Sequence, residues 1–96
     1  MTRRAAKVDG NQAAVVEALE RGGCLVQSLA RMGDGVPDLL VCRGNRLALV
    51  EVKMPKGKLR PEQERFMARG WPVFVLRDVE AAAALVRWLR EDEVRR

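Results

Sequence analysis

The sequence predicts an α/β domain, a mixed four-stranded sheet flanked by helices in the order α-β-β-β-α-β-α, and three observations carry that expectation. Apolar residues recur at helical spacing near both ends of the chain: Val15, Val16 and Leu19, then Ala81, Ala84, Leu85, Trp88 and Leu89. Between them, residues 39–42 and 47–52 are apolar runs of strand length. The four residues separating those runs, Arg43-Gly44-Asn45-Arg46, hold the Gly and Asn that hairpin turns demand.

The elements follow in chain order. Residues 1–8 carry Arg3, Arg4 and Lys7 with nothing to bury and read as a mobile basic arm. Asp9, Gly10 and Asn11 offer capping residues for a helix that starts at Gln12 and stops at Gly22-Gly23. Gln12 shares the stripe of Val15, Val16 and Leu19, so it is expected to point inward. Residues 24–30 form the first strand, and the two glycines in 31–35 mark a loop. Pro37 opens the second strand, at a position where a missing N–H costs least. Pro61 suits the first turn of the next helix, on which Gln63, Phe66, Met67 and Gly70 share a face. Residues 72–76 read as a short buried strand, and Asp78 caps a last helix running from Val79 to about Glu91.

The hairpin places three charged residues together. If Cys42 faces Leu47 across the turn, Leu40 faces Leu49 and Asp38 faces Glu51, with β-carbons about 5 Å apart. Side chains alternate along a strand, so Lys53 emerges on the face of Glu51 while Val52 turns away. Two carboxylates held so close repel unless a cation lies between them, and hard divalent ions such as Mg²⁺ are bound by a few carboxylates, water and substrate phosphate. The plain alternatives are a strand-end acid pair facing solvent and a lysine that merely pairs with Glu51.

Composition narrows the chemistry. At 96 residues the chain is expected to form one domain, and its net charge of +5 suits a polyanionic partner, although many basic proteins have none. Histidine is absent and Ser28 is the only serine, which excludes imidazole zinc sites and a serine triad within this chain. Cys24 and Cys42 lack metal-site spacing and read as thiols packed in a reducing compartment. With no apolar run long enough to span a bilayer and no signal-peptide core, the expectation is a soluble, cytoplasmic protein.

Gly35-Val36-Pro37-Asp38-Leu39-Leu40-Val41, then Glu51-Val52-Lys53, then Lys56-Gly57-Lys58-Leu59 and Gln63 resemble the virus-type replication-repair nuclease (VRR-NUC) domain of the PD-(D/E)XK nuclease superfamily. The likeness runs from about Asp9 to Leu76. It implies the restriction-endonuclease-like core, to which the element order read from periodicity also corresponds. It further implies a Mg²⁺- or Mn²⁺-dependent endonuclease acting on DNA, with Asp38, Glu51 and the Val52 carbonyl as metal ligands. Lys53 and Gln63 would join Asp38 and Glu51 as catalytic residues; Gln63 also reads as a satisfied helix-terminal side chain. Lys56, Lys58 and Arg60 would grip the DNA backbone, or, read without the site, decorate a solvated turn. Many members carry a glutamate on the first helix. Here Glu17 and Glu20 fall off the inner face, which leaves Gln12, with Asp9 and Asn11 as alternatives, as the possible first-helix site residue. Stand-alone members resemble Holliday-junction resolvases, which implies branched DNA and a homodimer, with no nucleotide cofactor. Flap, nicking or non-specific cleavage is the alternative within the enzyme class, and a binding module that lost hydrolysis is the alternative outside it.

Overall fold

A computed structural model describes residues 10–94. Asp9 and the basic arm lie outside the described residues. The elements are α1 (Gln12–Arg21), β1 (Leu25–Ser28), β2 (Leu39–Arg43), β3 (Arg46–Val52), α2 (Pro61–Ala68), β4 (Val73–Leu76) and α3 (Val79–Val94). They form one sheet in the order β1-β2-β3-β4. The first three strands are antiparallel neighbours, and β4 joins β3 in parallel because α2 carries the chain back to the starting end of the sheet. This is the expected mixed four-stranded α/β arrangement. The hairpin register is also as expected: Cys42 faces Leu47, Leu40 faces Leu49 and Leu39 faces Val50.

One face of the sheet packs on α1 and α3. Leu39 and Val41 of β2 and Ala48, Val50 and Val52 of β3 alternate toward that side and meet Val15 and Leu19 of α1 and Leu85 and Leu89 of α3. Each such buried valine or leucine side chain contributes roughly 1.5–3 kcal/mol over its exposed state. The two helices approach closely at Gly22, where a Cβ would overlap the Val86 methyl groups. Among the described residues no helix is long and apolar enough to cross a membrane.

Several local expectations are corrected. On α3 the inner stripe is Ala82, Leu85, Val86 and Leu89, while Ala84 is exposed, and the helix continues to Val94. The run of four alanines offered no contrast to fix the rotation of the helix. β4 is only partly buried apart from Leu76, because it is an edge strand with a neighbour on one side. β1 is shorter than residues 24–30, and Leu25 on this opposite edge is 75% exposed. Gly70 lies beyond α2 with φ 115°, exposed and off the inner stripe. Asn11 occupies the N-cap of α1 without capping it by its side chain. Cys24 is buried and Cys42 half-buried, and both are free thiols.

Candidate active site

The sheet's other face is covered at one end by α2, and there the chain buries its polar residues. Among the described residues the buried polar side chains are Glu51, Lys53 and Gln63, 3%, 6% and 5% exposed, and all three belong to one cluster. Gln63 Nε2 donates to Glu51 Oε2 at 2.8 Å, and Lys53 Nζ lies 3.5 Å from the same oxygen. Gln63 reaches this position because Pro61 starts the helix and puts residue 63 in the first turn, where its Oε1 accepts the Arg60 N–H (2.8 Å). One amide thus satisfies the helix terminus with its oxygen and the carboxylate with its nitrogen.

Asp38 approaches from β2. The ladder ends at the Leu39–Val50 pair, and one further step sets Asp38 opposite Glu51. Its Oδ2 accepts the Val52 N–H at 2.9 Å. The N–H and C=O of one residue in an antiparallel ladder project to the same side, so the Val52 carbonyl is also directed toward β2. The Val52 side chain is fully buried on the opposite face.

The electrostatics match that geometry. Burial pushes the Glu51 carboxyl up to about 7 from its ordinary 4.5, and the charge of Asp38 pushes in the same direction, against the opposing pull of Lys53. A carboxylate that resists ionisation beside a second carboxylate is relieved by a divalent cation. Two acids and a directed main-chain carbonyl suit an ion such as Mg²⁺, which keeps several water ligands. Among the described residues no group of three His, Cys, Asp or Glu side chains converges. The donors therefore number two acids, and the first-helix position matters. Gln12, in the first turn of α1, has its Oε1 buried with no hydrogen-bond partner among the described residues.

A cleft of about 250 Å³ opens beside the cluster, lined by Asp38 and Gly35 on one side and Arg60 and Gln63 on the other. Gly35 adopts φ 78°, and a Cβ there would overlap the Glu62 carbonyl, so only glycine lets this loop close on the first turn of α2. Lys56, Lys58 and Arg60 are exposed at this end of the molecule. Arg60 differs from the two lysines in pairing with Glu62 (3.0 Å), an exposed contact that is weak and readily exchanged. Glu62 is held below the usual carboxylate range by its own backbone N–H and by Arg60.

Two further residues brace this end of the sheet: Asn11, which the sequence offers as a capping residue and as an alternative first-helix site residue, and Arg77, which carries no signal in the sequence. Asn11 Nδ2 donates to the carbonyls of Lys53 (2.9 Å) and Arg77 (2.7 Å), which fastens the start of α1 to the ends of β3 and β4. Arg77 Nη1 donates to carbonyls of the turn that follows Lys53. Neither partner is a side chain, so no motif announces it.

The model of the VRR-NUC domain family matches residues 6–88, a range that contains Asp38, Glu51, Lys53 and Gln63. The chain belongs to the VRR-NUC domain family. A solved structure described as "VRR_NUC domain" is 36% identical, with a TM-score of 0.61 over 79% of this chain and 89% of that one. No curated protein matches the sequence. For this VRR-NUC chain, family and superposition establish the nuclease-like fold, and the cluster of Glu51, Lys53 and Gln63 facing Asp38 lies within it.

Proposed function

We propose that the chain is a Mg²⁺- or Mn²⁺-dependent endonuclease that hydrolyses DNA phosphodiester bonds. The observation that carries this reading is the burial of Glu51 and Lys53 side by side opposite Asp38, in a chain of the VRR-NUC family. Burying two charges costs several kcal/mol each unless compensated, and a fold of this size tolerates that cost where it serves a reaction.

Asp38 and Glu51, with the Val52 carbonyl, would hold the ion, which supplies polarisation of the scissile phosphate and a water of lowered pKa. Gln63 fixes Glu51 by donating to Oε2. Lys53 orients the attacking water or offsets negative charge developing on the phosphoryl oxygens. Lys56, Lys58 and Arg60 provide positive charge for the phosphate backbone. Substitution Lys53→Ala is expected to lower turnover about a hundredfold or more while leaving metal affinity close to normal; a calorimetric Mn²⁺ titration beside single-turnover kinetics checks it, and equal loss of both would remove Lys53 from the chemistry.

The finer reading is a Holliday-junction resolvase acting as a homodimer, since a four-way junction presents two symmetric strands and a two-fold pair of chains presents two sites. It rests on resemblance within the family. The cross-strand row Leu25–Cys42–Leu47, with Leu25 and Leu47 75% and 62% exposed, supports it by offering apolar surface to a second copy. A second reading, a nucleic-acid-binding module without hydrolysis, draws on the two-acid donor set among the described residues. Incubation with branched and linear DNA, in Mg²⁺, Mn²⁺ or EDTA, separates the readings. Cleavage that Asp38→Ala and EDTA abolish while DNA binding persists is the expected result; binding without cleavage under every metal would favour the module.

A further inference from the structure

Three backbone carbonyls converge on one guanidinium beside the site. Residues 54–57 form a tight turn with Pro55 in its second position and the Gly57 N–H donating to the Met54 carbonyl (2.9 Å). Arg77, immediately after β4, directs Nη1 into this turn and donates to the carbonyls of Gly57 (2.6 Å) and Met54 (3.0 Å), with the Pro55 carbonyl at 3.4 Å. The carbonyl of Arg77 is itself held by Asn11, whose amide also holds the carbonyl of Lys53. Helix α1, the ends of β3 and β4 and the turn are thereby joined through one asparagine and one arginine.

We propose that Arg77 is a positioning residue for nucleic acid: it holds the 54–57 turn against the end of β4 so that Lys56 and Lys58 meet the phosphates flanking the bond presented to Asp38 and Glu51. The proposal rests on the nuclease reading of that site. The turn begins one residue after Lys53, so its orientation decides where both lysines stand relative to the buried cluster. Lysine side chains on an unrestrained turn lose backbone as well as rotamer freedom on binding, and fixing the turn beforehand removes the backbone part of that cost. All three contacts come from Nη1, so a lysine at position 77 keeps the charge and still has donors, but its more flexible and more strongly hydrated ammonium is less preorganised to hold the turn.

Arg77→Lys therefore separates position from charge. Amide hydrogen exchange by NMR is expected to show the Gly57 N–H exchanging about tenfold faster in Arg77→Lys, with the Val50 N–H unchanged as a monitor of global stability. In the same variant the KM for branched or linear DNA rises about five- to tenfold, as it does in the Lys56→Ala/Lys58→Ala pair, and kcat falls by less than KM rises. Unchanged exchange at Gly57 overturns the clamp. Faster exchange with an unaltered KM overturns its role in presenting the lysines. Should the wild-type chain cleave no DNA with any divalent ion, the nuclease reading fails separately; affinity for a labelled four-way junction then takes the place of KM, and equal affinity of wild type and Arg77→Lys overturns the proposal.

Discussion

At the site end of β3 and just beyond it, the two faces bury their residues about equally and for opposite reasons. Val50 and Val52 turn toward α1 and α3 and are fully buried; Glu51 and Lys53 turn toward α2 and are 3% and 6% exposed. On the first face removal from water is itself the stabilising term. On the second it is a penalty, answered by Gln63 Nε2 and by the contact between the two charges, and answered incompletely, since the Glu51 carboxyl stays up at about 7. Depth of burial does not separate core from site in this molecule; the residual electrostatic cost does.

The largest effect expected from that contrast is at Glu51. Glu51→Gln keeps the shape and an acceptor for Gln63 but removes the charge a metal needs, so turnover should fall about a thousandfold or more. The same substitution should stabilise the metal-free fold, with a definite sign in pH. A carboxyl whose folded pKa is raised from 4.5 to about 7 contributes its stability below pH 4.5 and loses it as the pH rises through 7. Glutamine stays neutral throughout and escapes that loss. Wild type and variant should therefore match near pH 4.5 and separate by roughly 3 kcal/mol above pH 8, while EDTA-treated and Mn²⁺-saturated wild type separate in the same window. Urea titrations at the two pH values in EDTA measure this, and a variant no more stable than wild type at pH 8 would show that the charge is not strained.

Val50→Ala addresses the other face of the same strand. It removes buried methyl groups from a packed interior and should lower stability by about 2 kcal/mol, equally at pH 4.5 and pH 8, because nothing ionisable is involved. Metal affinity per folded molecule is expected to remain within about twofold. A pH-dependent loss, or a loss of Mn²⁺ binding in molecules still folded, would mean that the two faces are coupled through the strand and that the contrast is too simple.

What the sequence could and could not reveal follows the same division. The hairpin register was legible because Gly44 and Asn45 fix the turn between two apolar runs, and once the register is set, Asp38, Glu51 and Lys53 fall together without further information. Gln63 was legible because Pro61 sets the phase of α2. Ala82 and Ala84 were not distinguishable, since side chains of equal size and polarity leave helix rotation to be decided by packing against α1 and the sheet. The contacts of Asn11, named in the sequence only as a cap and an alternative site residue, and the whole role of Arg77 were illegible for a different reason. Their acceptors are main-chain carbonyls up to 66 residues away, a group every residue carries, so no residue type at the far end marks the pairing.

The smallest effect, and the one that sharpens the comparison most, is at the first turn of α1. Gln12, whose buried Oε1 has no hydrogen-bond partner among the described residues, follows Asn11, whose amide touches the Lys53 carbonyl at the site end of the sheet. The apolar stripe of α1 thus ends in one polar atom. If that oxygen looks toward Asp38 and Glu51, Gln12→Glu supplies a third carboxylate, and Mn²⁺ affinity measured by calorimetry should rise about tenfold while the metal-free protein loses stability above pH 7 from added like-charge repulsion. If it belongs instead to the α1–α3 core, the new carboxylate destabilises the fold just as much and Mn²⁺ brings no recovery. The two results differ in whether the ion restores what the charge removes, which makes the Mn²⁺-dependent change in melting temperature the deciding measurement.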